Sequence, residues 1–285
     1  MFDIALSAAA CVRAGTRFDV AWICEPAGSD EAVAFTPGGG RFGGLANGVF
    51  DGLLSDVAAR QLSCGRHLVH QVSDLEAVGS GLTAGSRVEF LVVPGSAIPG
   101  QVWGLVQNRE PIRLLIELDH EQVTGVRLLA EQDTAPEGAL VTEFSPVPRL
   151  IVAGGGPMAD AMAAQGRLLG WKVAVSARPE AVAGLTAPLT SMDSVVVLGH
   201  DVEASSRCLM AALASDAGYI GSVGSQSMQR SRADWLAYQE VIDLSRVHGP
   251  AGLALGAQSP PEVAVAIAAE ILATRAETHS ARGAR

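Results

Sequence analysis

The chain has 285 residues, 48% of them hydrophobic and 18% charged, with 32 glycines and only 5% Phe, Trp and Tyr. Such a chain buries a sizeable core, which excludes a disordered segment and suits an α/β protein of two domains. A net charge of −10 without a basic cluster excludes the surface needed to hold nucleic-acid phosphates or an anionic membrane.

Residues 1–11 carry Asp3 and no basic residue ahead of a short apolar run, a poor secretory signal. No run approaches the roughly 18 apolar residues that span a bilayer, so the expected compartment is the cytoplasm. Short β-type runs at residues 20–24, 32–35, 87–93 and 113–118 are separated by glycines. One helix is expected over residues 50–62, with Val49, Leu53, Leu54, Val57 and Ala58 on one face. Strands gathered around few helices predict an N-terminal α+β domain over residues 1–145. The four cysteines, Cys11, Cys24, Cys64 and Cys208, form no C-x-x-C pair and no zinc-finger spacing. Reduced thiols and no metal site are expected.

Residues 135–138 and 145–148 are turn-prone, and the prolines of the second stretch disfavour both helix and sheet centre. Beyond it strand and helix patterns alternate: an apolar strand over 149–153, an Ala-rich helix over 158–169, and apolar strands over 172–175 and 194–198. This predicts a Rossmann-like domain over residues 149–275, a parallel sheet with helices on both faces. Its last helix opens on a capping box, with Ser259 at N-cap, Pro260 first and Glu262 third, and buries Val263, Ile267 and Ile271. Residues 276–285 read as a polar, frayed tail.

Gly154, Gly155, Gly156, Pro157, Met158 and Ala159 follow the first of these strands as G-x-G-x-x-A. Gly154 permits a tight turn, Gly156 lets backbone approach a phosphate, and Ala159 lets the helix pack closely on the strand. The helix N-terminus at Pro157 and Met158 offers free N–H groups to an anion. The acidic residue that binds a ribose diol is absent from the end of the next strand, where Arg178 follows Ser176 and Ala177. Either Arg178 faces a phosphate, as in NADP-binding relatives of the motif, or no NAD is bound. His200 and Asp201 follow another strand; they belong to the site wall or cap the next helix. Gly221, Gly224 and Ser225 make a third glycine-rich stretch suited to an anion nest.

Six landmarks then fall in order. They are Gly154 to Ala159, Val195 to Asp201, Leu213 to Ser215, Tyr219 to Ser225, His248 to Leu253, and Gly256 to Glu262. Together they resemble the C-terminal domain of the XdhC/CoxI family, the accessory proteins of molybdenum hydroxylases. More faintly, residues 40–51 and 82–89 resemble the family's other domain, with Val49 and Ala84 in place of its cysteines. Pro157 and Ser176 likewise replace a family His and Asp. The resemblance implies a chaperone that binds molybdenum cofactor (molybdopterin or its dinucleotide) and delivers it to an apo molybdenum hydroxylase such as xanthine dehydrogenase or carbon monoxide dehydrogenase. A cysteine desulfurase is implied as a second partner.

Two other readings remain. An NAD(P)-dependent oxidoreductase, with NADP as cofactor, is opposed by the lack of a Tyr-x-x-x-Lys pair, Lys172 being the one lysine in the chain. A scaffold that kept the fold and lost the ligand is the other. A homodimer is expected.

Overall fold

In the N-terminal half, alternating apolar residues build strands and the polar or glycine-rich segments between them turn the chain. The computed structural model describes residues 1–60, 63–130, 133–136 and 139–283, and the chain divides into two units, Met1–Pro146 and Val147–Arg285. Leu62, at the end of the expected helix, and Glu137 and Gly138, in the first turn-prone stretch, lie outside the described residues.

The first unit holds β1 (Asp19–Glu25), β2 (Ala32–Phe35), β3 (Arg41–Gly44), β4 (Gly65–Gln71), β5 (Arg87–Pro94), β6 (Ile112–Asp119), β7 (Gln122–Leu129) and β8 (Leu140–Phe144). They form one eight-stranded sheet in the order β3-β2-β1-β5-β4-β7-β6-β8, with antiparallel neighbours. Its helices are α1 (Ala5–Ala14), α2 (Asp51–Ala59), α3 (Asp74–Ser80) and α4 (Gly100–Gln107).

Period-two alternation sends successive β1 side chains to two separate cores. Val20, Trp22 and Cys24 pack with α1 and α4, whereas Ala21 and Ile23 pack with α2. Trp22 is wholly buried and donates its indole N–H to Thr142 Oγ1 at 3.2 Å, which removes the cost of an unpaired donor. The unit is α+β, with more helix than expected. Helix α2 ends at Ala59 and buries Leu54, Val57 and Ala58, while Leu53, assigned to the same face, is 38% exposed.

The second unit holds β9 (Arg149–Ala153), β10 (Lys172–Ser176), β11 (Ser194–Val197), β12 (Tyr219–Ser222) and β13 (Val247–His248) in one parallel sheet, order β10-β9-β11-β12-β13. Its helices are α5 (Pro157–Leu168), α6 (Pro179–Thr186), α7 (Val202–Leu213), α8 (Gln226–Tyr238) and α9 (Pro260–Gly283). Helices α5 and α9 cover one face through Ala159, Met162, Ile267 and Ile271. Helices α6, α7 and α8 cover the other through Val182, Leu209 and Leu236. This is a Rossmann-type arrangement.

Pro260 opens α9, and the Glu262 carboxylate accepts the N–H groups of Gln258 and Ser259 at 2.9 and 3.0 Å. These bonds hold its carboxyl below the usual carboxylate range. Helix α9 runs on to Gly283, so the segment expected to fray continues the helix.

Among the described residues no helix is long and apolar enough to cross a membrane. All four cysteines are free. Titration of denatured protein, prepared without reductant and alkylated rapidly, is therefore expected to count about four thiols, one for each. A count of two would show a bridge and contradict this structure.

Candidate functional site

The site is built where β9, β11 and β12 run out side by side. The backbone N–H of Leu198 donates to Ala153 O at 2.8 Å, and that of Val223 to Val197 O at 2.9 Å. These bonds bring the three following loops together at the carboxyl edge, where open α/β sheets take ligands.

Glycine is required in the first loop for two different reasons. A Cβ on Gly154 (φ +152°) would lie 2.6 Å from Leu198 Cβ, so a larger residue would push β9 and β11 apart at this edge. Gly156, at φ 81° and ψ −171°, occupies a region that L-residues with side chains scarcely enter. A Cβ there would meet nothing within 4 Å, so the space over Gly156 is open. Pro157 is the first residue of α5, and Ala159, 1% exposed, seats that helix on the sheet.

No side chain caps α5. Its first-turn N–H groups, Met158 and Ala159 among them, have no intrahelical acceptor and carry the positive end of the helix dipole. Helices α7 and α8 leave the same edge but are capped. Asp201 Oδ1 accepts from Ala204 N at 2.8 Å, and Ser225 Oγ from Met228 N at 3.3 Å.

The sequence-assigned residues therefore separate into groups. Gly154, Gly155, Gly156, Pro157 and Met158 form the turn into α5. Arg178 is exposed at the N-cap of α6, beyond edge strand β10. His200 is exposed and makes no hydrogen bond or ion pair among the described residues. Asp201 and Ser225 act as caps. Gly221 lies inside β12 rather than in a loop, where a Cβ would come within 2.8 Å of the Tyr219 ring and 3.1 Å of Ala251. It is a packing glycine; the loop begins after Ser222. Gly224 (φ +141°) lies in that loop, over Met228.

Sequence reading missed Arg232, on α8. Only 1% exposed, it donates Nε to Ser205 Oγ (2.9 Å), Nη1 to Ser222 Oγ (2.7 Å) and Val223 O (2.8 Å), and Nη2 to Gly199 O (2.7 Å). One guanidinium thus ties the loop after β11 to the loop after β12. No carboxylate pairs with it among the described residues. Burial without a counter-charge lowers its pKa, and its positive charge faces the same edge as the α5 N-terminus.

Also missed was a group at the far edge of the sheet. Glu270 on α9 accepts Tyr219 OH at 2.5 Å and Gly252 N at 2.8 Å. His248 stacks on Tyr219 with ring centroids 4.6 Å apart. Burial and then Glu270 push the Tyr219 phenol far above its usual range, so it stays a donor. An arginine or glutamate inside a helix reads from sequence as a solvated face, and no local signal marks these two.

The architecture defines a Rossmann-type domain whose α5 N-terminus carries no side-chain cap. Residues 150–271 match the family described as the XdhC Rossmann domain. A solved structure from Bacillus halodurans, described as a xanthine dehydrogenase, is similar in fold at a TM-score of 0.51 and 18% identity. The match covers 97% of this chain and 96% of that one. No curated protein matches.

Proposed function

We propose that the protein is an accessory protein of a molybdenum hydroxylase, of the xanthine dehydrogenase or carbon monoxide dehydrogenase type. Its C-terminal unit holds the anionic end of molybdenum cofactor, as molybdopterin or its dinucleotide, for transfer to the apo enzyme. The observation that supports this reading best is the contrast between the helices. At an edge where α7 and α8 are capped by Asp201 and Ser225, α5 has no side-chain cap, a feature it shares with α6 beyond edge strand β10.

The residues present fit an anionic group. Gly155 and Gly156 leave room for it, the α5 N–H groups would donate to it, and Arg232 sets a positive charge behind the neighbouring loops. Asp160 and Asp201 lie at the same edge, so backbone donors rather than a cationic cluster would carry recognition. Val49 and Ala84 supply no thiol, and the reading concerns the phosphate end of the group alone. The cofactor is cargo here, and its chemistry belongs to the client.

NADP is the second ligand this edge could take, with Arg178 toward the extra phosphate. Protein purified from cells that make molybdenum cofactor distinguishes the readings. The carrier reading expects an oxidised-pterin fluorescence signal near stoichiometric with protein, and no saturable nicotinamide binding. Tight NADP binding without pterin would identify a dehydrogenase instead. Retention of neither, together with capture of the apo enzyme, would identify a partner-binding scaffold. The homodimer and the cysteine desulfurase contact stand as proposals of the same reading, tested by sedimentation and co-purification.

A further inference from the structure

We propose that Cys24, His67 and Glu89 form a binding site for a divalent metal of borderline softness, zinc being the best match, in the N-terminal unit. Nothing in the proposed cofactor-carrier role requires this site, and the two stand or fall separately.

The three residues come from three adjacent strands, β1, β5 and β4, with Glu89 on the middle one. Their ligand atoms, one from each side chain, lie within 4.8 Å of one another. Strand alternation explains part of this. His67 pairs with Leu91, and Glu89 lies two residues from Leu91, so both point to the face that carries Leu91 and Trp22. A bulge explains the rest. The β1–β5 register shifts between Ile23 and Glu25, leaving Cys24 as the extra residue. Bulges re-aim a side chain, and here the thiol turns to within 3.4 Å of Glu89 O.

Sulfur, imidazole nitrogen and carboxylate oxygen are a donor set of intermediate softness that suits zinc better than calcium or magnesium. Thiolate and carboxylate together carry two negative charges, matching a divalent cation. Cys24 is 4% exposed, while the His67 and Glu89 side chains are 14% and 16% exposed, which leaves a path to solvent, and water would supply the fourth ligand zinc requires. Arg87 Nη2 holds the other Glu89 oxygen at 2.7 Å, the outer-shell contact that orients a ligating carboxylate.

His67 Nε2 and Glu89 Oε2 are 2.7 Å apart. Two ligands at about 2.0–2.1 Å from a tetrahedral ion stand about 3.3 Å apart. Metal entry therefore parts this pair by roughly half an ångström and releases the thiol proton to solvent.

The test uses the full chain, stripped with chelator and titrated with cobalt(II) as a spectroscopic probe, then with zinc. One equivalent of cobalt is expected, with a thiolate-to-metal charge-transfer band in the near ultraviolet, and zinc displaces it. Cys24→Ser should lose that band. His67→Gln should weaken binding by more than about tenfold, since ligand loss exceeds the usual outer-shell penalty. Zinc at a fixed concentration that just saturates wild type should raise its melting temperature more than that of either variant. Absence of the band in wild type, or equal cobalt affinity in wild type and His67→Gln, would overturn the proposal. The second variant decides the matter even if Cys24→Ser fails to fold. A metal-free His67–Glu89 ion pair beside a buried thiol is then the account of these residues.

Discussion

Replacing Arg232 by Ala is expected to destabilise the C-terminal unit by about 2–6 kcal/mol, the cost of leaving two buried carbonyls without their donors. The side chain is 1% exposed and makes four hydrogen bonds within the fold. Two of its acceptors have another partner: Ser205 Oγ donates to Asp201 O at 2.6 Å, and Ser222 Oγ to Gln229 Oε1 at 2.7 Å. The carbonyls of Gly199 and Val223 lose their guanidinium donors, at about 1–3 kcal/mol each. The cavity left behind adds to this. Relief of the buried charge offsets part of it, because burial already lowers the Arg232 pKa.

Arg232→Met separates these contributions. It keeps most of the volume and loses every donor, so a loss close to that of the alanine variant assigns the effect to the orphaned carbonyls. Chemical denaturation of both variants gives the comparison. A midpoint for Arg232→Ala indistinguishable from wild type would show that water replaces the guanidinium at no cost.

Gly156→Val is expected to abolish anion binding at α5, with affinity falling more than about a hundredfold, equivalent to roughly 2.7 kcal/mol or more. The branched side chain would stand in the open space over the helix N-terminus. The same substitution costs about 1–3 kcal/mol of stability, because φ 81° with ψ −171° is a glycine conformation. Gly155→Ala separates the two effects. Gly155 lies outside the left-handed region, and a Cβ there would meet nothing within 4 Å, so the melting temperature should hold while binding weakens. Ser225→Ala is a poorer probe, since Ser225 caps α8 and its loss costs about 0.5–2 kcal/mol of stability whether or not a ligand binds. Full binding by Gly156→Val would remove the α5 terminus from the site.

Sequence reading reached furthest where the physics is local. The apolar run at Leu150 to Ala153, the glycines after it and the proline at the first helical position announce a strand, a turn and a helix within ten residues. Strands β3, β4 and β7 escaped it because they are only partly buried, so their alternation is diluted by Arg41, Arg66, Gln122 and Arg127. Helix α1 escaped because alanines fill half of its length and mark no face clearly. At the candidate site the backbone was legible and the side-chain roles were not. Asp201 and Ser225 carry the chemistry of either a ligand contact or a cap, and only their distances to Ala204 N and Met228 N decide. Arg232 is 33 residues from Gly199, and His67 and Glu89 are 22 apart; no window along the chain joins them. Among the described residues, Val49 belongs to the core on the α2 face of the sheet, whereas Cys24 belongs to the opposite one, so the thiol there is no simple relocation of the missing cysteine.

The carrier reading is tested most directly by calorimetric titration of molybdenum cofactor, released anaerobically from a molybdenum hydroxylase, into wild type and Gly155→Ala, with melting temperature as the folding control. Saturable binding near one per chain by wild type, weakened in a Gly155→Ala protein that melts with wild type, is the predicted result. No binding by wild type at millimolar concentration, or equal affinity in the two proteins, would contradict it.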